Sequence, residues 1–139
     1  MKVTIFSSNQ PRHLNLAKEF SIICDAVFLV SEVNSVFPGQ VNDFFKKSEI
    51  MQTYFQNVIQ SERNIFGDIS FLPNNVRTLS IKSGDLNTLD RNQLSDALQS
   101  DVYVVFGASY IKGWLIDFLV EHRNKHSHGS LPLLQRLFV

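Results

Sequence analysis

The chain has 139 residues, 44% of them hydrophobic with twelve phenylalanines, and its thirteen basic side chains balance thirteen acidic ones. That is enough for one globular domain with a real core, and the zero net charge removes the broad positive field that nucleic acid would need, so a small-molecule partner is expected. A single cysteine, Cys24, rules out an internal disulfide framework, and the start "MKVTIFSSNQ" lacks the apolar run of a signal peptide or a membrane span, so a reduced, cytoplasmic setting is expected.

In chain order, "KVTIF" (2–6) is a β-branched apolar run that reads as a buried strand. "SSNQPRH" follows, with Asn9 as the expected cap and Pro11 suited to the first turn of a helix. Leu14, Leu16, Ala17, Phe20, Ile22 and Ile23 give that helix its apolar stripe. "AVFLV" (26–30) predicts a second buried strand, and "FPGQ" (37–40) a turn. From Val41 onward, apolar residues at 44, 45, 51, 54, 55, 58 and 59 predict one long amphipathic helix. A third strand is expected around 77–81, then a short helix over 91–98 capped by Asp90, a fourth strand over 101–107 and a last helix over 111–121. Strands alternating with helices imply parallel pairing and right-handed crossovers. The expected fold is therefore an α/β, Rossmann-like open parallel sheet with helices on both faces.

Open parallel sheets bind ligands outside the carboxyl ends of their strands, which directs attention to the loops after Phe6, Val30 and Phe106. The first lacks both G-x-G-x-x-G and G-x-x-x-x-G-K-[ST], so neither dinucleotide nor NTPase phosphate chemistry is supported. Asn9, Arg12 and His13, with Ser7 and Ser8, could hold an anionic substrate beside a helix N-terminus, or could simply cap and solvate that helix. The loop "FGASYIKGWL" is more distinctive. Gly107 permits a sharp turn after a buried strand, and Ala108 and Ser109 are small enough for a flat ligand to approach the backbone. The competing reading makes Tyr110 and Trp114 core aromatics of the following helix.

The stretches "MKVTIFSSNQPRHLNLAKEF", "VFPGQVNDFFKKSEIMQTYFQNVI", "FGDISFLPNNVRTLSIKSGDLNTL" and "VYVVFGASYIKGWLIDFLVEHR" resemble the amino-terminal domain of folate-dependent N-formyltransferases, in particular the branch acting on amino sugars. The likeness covers 1–123 and implies a domain that carries 10-formyltetrahydrofolate, with Phe106, Gly107, Ala108, Ser109, Tyr110 and Ile111 against the cofactor. It also implies an amino-sugar nucleotide as acceptor. In that family the last helix leads into a motif like A-I-N-I-H-M-G-x-S-P-Y-Y-R-G, whose asparagine and histidine act in catalysis with a later aspartate.

Here the tail 124–139 reads "NKHSHGSLPLLQRLFV" instead. One permitted choice of codons for it, read with the first base dropped, gives I-N-I-H-M-G-L-S-P-Y-Y-R-G-S-S, so the tail resembles a frameshifted copy of the catalytic motif. In that alignment the family's asparagine falls on Lys125 and its histidine on Ser127. A one-residue slide offers Asn124 and His126 as an N-x-H pair, without the loop that should follow. The expectation is a formyltransferase-lineage chain with little turnover, truncated after the fourth or fifth strand. Its Val102, Val104 and Val105 would be exposed at an uncovered sheet edge, together with the faces of Leu115 and Phe118, favouring self-association or proteolysis. Two other readings stay open: a folate-binding module or subunit without catalysis, and an unrelated α/β nucleotide-binding protein.

Overall fold

The computed structural model describes residues 1–33, 49–68 and 70–126, with side chains to 122. Four strands form one parallel sheet: β1 (Lys2–Ser8), β2 (Ala26–Val33), β3 (Val76–Lys82) and β4 (Val102–Phe106), in the spatial order β3-β2-β1-β4. The α/β open sheet expected from the sequence is therefore present. The central strand β1 pairs along its length with β2, from Lys2 opposite Ala26 to Ser8 opposite Glu32, and with β4, from Val3 opposite Val102 to Ser7 opposite Phe106. Flanked on both sides, β1 is buried without alternation from Val3 to Ser8, including the polar Thr4, Ser7 and Ser8.

Because side chains alternate across a strand, this continuous run feeds two cores. Val3 and Ile5 pack with Val27, Leu29, Val104 and Ala17 of α1 (Pro11–Ile23) on one face. Phe6 and Val30 pack with Leu86, Leu94, Leu115 and Leu119 on the other, beneath α3 (Trp114–His126) and the irregular segment that joins β3 to β4. The helix α2 (Glu49–Phe66) lies against α1. The helices α1 and α2, which follow β1 and β2, thus lie on the first face, and the return from β3 to β4 runs over the second, the arrangement that right-handed crossovers produce when the strand order reverses. Thr4 anchors that return: its hydroxyl donates to Ala97 O and lies 2.8 Å from Ser100 Oγ.

Several local expectations are corrected. The cap of α1 is Gln10 rather than Asn9, with Pro11 at the first helical position and no side-chain cap bond. The stripe of α1 ends at Phe20, since Ile22 and Ile23 are exposed; Asn75 closes this end by donating to Ser21 O and Cys24 O. The part of the long helix expected before Glu49, and the turn at 37–40, lie outside the described residues; within α2, Phe55, Val58 and Ile59 are half-buried and Tyr54 is exposed. Asp90 does cap its segment, through a reciprocal bond pair in which Gln93 N donates to Asp90 Oδ1 and Asp90 N to Gln93 Oε1. No α-helix grows from it. Residues 91–96 form turns and only Ala97–Gln99 close a 3-10 turn.

The last helix begins three residues later than expected because Gly113 adopts a left-handed φ of 66°. Leu115 is in the core rather than exposed, and Phe118 is half-buried with its ring edge-on to Tyr103 at 5.5 Å. The face of β4 is therefore covered. Its outer edge is not: among the described residues no strand pairs with that side of β4.

Candidate functional site

The strand order reverses between β1 and β4, the point at which an open parallel sheet leaves a crevice outside its carboxyl ends. The two segments leaving that crevice are 9–13 and 106–111, which contain nearly all of the sequence-derived site residues apart from Asn124 and His126. The register that brings them together also bonds them, since Ser7 Oγ donates to Phe106 O at 2.5 Å.

His13 forms the floor of this junction. Its ring stands edge-on to Phe106, centroids 5.0 Å apart, and so close to Gly107 that a Cβ built there would lie 2.3 Å from Nε2. Gly107 also has a φ of 72°, so glycine is required here twice over, by conformation and by space. The histidine is only 3% exposed and its Nδ1 has no hydrogen-bond partner. Burial, reinforced by the charge of Arg12, lowers its pKa from the ordinary 6.5 to about 4, so the ring is neutral at pH 7. It packs the loop rather than presenting a charge to a ligand.

A pH dependence follows. At neutral pH the ring is uncharged in both folded and unfolded chains and contributes nothing. Between pH 6.5 and 4 only the unfolded chain takes up the proton, so stability falls with falling pH by roughly 1.4 kcal/mol per unit, about 3 kcal/mol across the window. Below pH 4 the folded chain protonates too and this slope ends. Thermal melts from pH 7 to 4 should be steeper for the native chain than for His13→Gln, and equal slopes would refute the assignment.

Arg12 is not free for an anion: its guanidinium pairs with Glu62 of α2, a carboxylate that is itself nearly buried. Asn9 is half-buried, and Ser8 Oγ donates to its Oδ1 at 3.5 Å. On the other side of the crevice Gly107 is open to solvent, with Ala108 and Ser109 half-buried beside it. Tyr110 is 86% exposed, which overturns its reading as a core aromatic. Trp114 does pack as expected, half-buried, with its Nε1 donating to Leu89 O at 3.0 Å. Ile111 belongs to the core beneath α3 and sits under the loop, not on its surface. Asn124 and His126 fall in the last turn of α3, and their side chains lie outside the described residues.

Two residues that no motif pointed to hold the 106–111 loop in shape. Glu32, at the end of β2, is 2% exposed; its Oε2 accepts from Ser109 N and its Oε1 from Gly84 N, the latter at 2.9 Å. Asn87 accepts from Lys112 N and donates to Tyr110 O, both at 2.8 Å. The available signal was a lone carboxylate closing the apolar strand "AVFLVSEV". Dinucleotide-binding folds carry an acidic residue for the ribose hydroxyls about 20 residues beyond the glycine motif. Glu32 does not serve that way, because its side chain is buried at 2% exposure and turned to the backbone of this chain.

No helix among the described residues is long and apolar enough to cross a membrane, and no described group of three or more His, Cys, Asp or Glu could hold a metal. No protein-family model, characterised protein or solved structure matches the chain.

Proposed function

We propose that this chain is the 10-formyltetrahydrofolate-binding part of an N-formyltransferase of the amino-sugar-nucleotide branch, and that it binds the cofactor without appreciable turnover. The observation that carries the reading is the Phe106–Ile111 loop. It leaves the sheet at the strand-order reversal, exposes the backbone of Gly107, flanks it with the small Ala108 and Ser109, and sets the open ring of Tyr110 alongside. A flat bicyclic ring system fits against such backbone, where a larger side chain at 107 would be excluded.

The bound cofactor supplies the formyl group that an amine attacks. Such a transfer would need donors for the developing oxyanion, an acceptor for the proton lost by the amine, and departure of the folate nitrogen as the leaving group. In the frameshift alignment the family's asparagine and histidine fall on Lys125 and Ser127, while the one-residue slide to Asn124 and His126 lacks the loop that should follow. Neither an ammonium nor a neutral hydroxyl accepts a proton readily near pH 7, so the proton-handling half of the chemistry is not provided by these side chains.

Titration calorimetry with 5-formyltetrahydrofolate tests the binding half. Saturable one-to-one binding is expected, with Ala108→Trp abolishing it by filling the approach to Gly107. Absence of binding by the native chain, or equal binding by Ala108→Trp, would sink the proposal.

A further inference from the structure

We infer that Glu32 is the positioning residue of the 106–111 loop, assisted by Asn87, and that it sets the affinity for the reduced folate without touching it. This deepens the folate reading and rests on it for the identity of the ligand. The argument begins with backbone donors. A loop that leaves a strand at Gly107 and enters a helix only at Trp114 has no ladder partner for its N–H groups. Unpaired, such groups let a segment sample many shapes.

In this fold two of those groups have side-chain acceptors from elsewhere in the chain. Ser109 N is held by Glu32, 77 residues away, and Lys112 N by Asn87, 25 residues away, while Asn87 also fixes Tyr110 O. The other Glu32 oxygen takes Gly84 N, which joins the loop to the segment that carries Asn87. One buried carboxylate thus ties the turns after β3 and after β4 to the end of β2. An ionised carboxylate accepts at both oxygens and makes the stronger, charge-assisted kind of hydrogen bond.

A ligand that lies on the backbone of Gly107 and Ala108 meets a loop whose shape is already fixed, and pays less to order it. Glu32→Gln is the informative change. It preserves size and one acceptor oxygen, but sets an amide NH2 against the other backbone N–H, releasing one of the two turns.

Three measurements on the full chain decide the matter: affinity for 5-formyltetrahydrofolate, melting temperature, and amide hydrogen exchange at Gly84 and Ser109. Glu32→Gln should weaken the folate at least tenfold and speed exchange at one or both amides by a similar factor. Thr4→Val, which removes buried hydroxyl bonds from the same sheet face, should lower the melting temperature comparably yet leave affinity within twofold. Asn87→Ala should weaken binding about threefold, and serves alone if Glu32→Gln does not fold. Equal affinity in Glu32→Gln and the native chain overturns the inference, as does unchanged affinity in Asn87→Ala where that variant stands alone. If the native chain binds no folate while exchange at Ser109 still rises in Glu32→Gln, the folate reading falls and the hold of Glu32 on the loop stands.

Discussion

Gly107→Ala will destabilise the fold by about 2–5 kcal/mol, a large share of the stability of a domain this size. Two costs add. A left-handed backbone costs an L-residue roughly 1–2 kcal/mol, and the φ of 72° at this position lies in that region. The new methyl would also overlap the His13 ring, with Nε2 at 2.3 Å and Cε1 at 2.8 Å from the added carbon. Forcing an extra carbon into packed surroundings typically costs about 1–3 kcal/mol. The ring cannot swing aside freely, because it is buried and packed edge-on to Phe106.

The double variant separates the two contributions. His13→Ala removes the obstacle but not the conformational demand, so the pair should be less destabilised than the sum of the single changes, by roughly 1–3 kcal/mol. Urea unfolding of the four proteins gives this directly. Strict additivity would mean that the ring and the glycine are not in the contact described.

The second large effect concerns rate. On the proposed formyltransferase assignment, the native chain, supplied with 10-formyltetrahydrofolate and amino-sugar nucleotides, is expected to transfer formyl at least about a thousandfold more slowly than an N-formyltransferase that carries the intact I-N-I-H-M-G motif and the later aspartate. One oxyanion donor alone is worth roughly 10²–10³ in rate. In the alignment that sets Lys125 at the asparagine and Ser127 at the histidine of the resembled motif, two groups are replaced together, one of which must also handle a proton. Liquid chromatography with mass detection of the formylated product measures both proteins on one scale. Turnover by the native chain at the usual enzymatic pace, on the order of 1–10³ per second, would contradict the assignment.

Strands β1, β2 and β4 were legible as runs rich in β-branched and aromatic residues bounded by polar or glycine-containing turns, β3 as the alternating "VRTLSIK", and parallel pairing followed from the helices after β1 and β2. Helix ends were harder. Ile22 and Ile23 continue an apolar pattern past the point where α1 leaves the sheet, and periodicity does not report where a helix loses its neighbour. The capping pair at Asp90 and Gln93 was readable as a helix start, yet a segment of about eight residues gains too few internal hydrogen bonds to hold a helix without packing along its length.

At the site, the 106–111 loop was visible because glycine and small residues after a buried strand have few other uses. His13 read as surface chemistry and lies instead in the interior, since a helix's first turn at a strand-order reversal faces the neighbouring loop. Glu32 left only the signal of a lone carboxylate in an apolar strand, and Asn87 left none. Their partners are single backbone N–H and C=O groups 23 to 77 residues distant, and spacing rules describe only residues that share an element.

The position of β1 has a consequence for biosynthesis. Of the four described strands it is made first, yet one of its two long sides is closed only by residues 102–106. At ordinary elongation rates of about 5–20 residues per second, some 5–20 seconds pass between translation of the first strand and of the fourth. Through that interval Val3, Ile5 and Phe6, all fully buried in the finished fold, lack the strand that closes one side of β1, so the central strand of the sheet completes its pairing only when the fourth strand has been made.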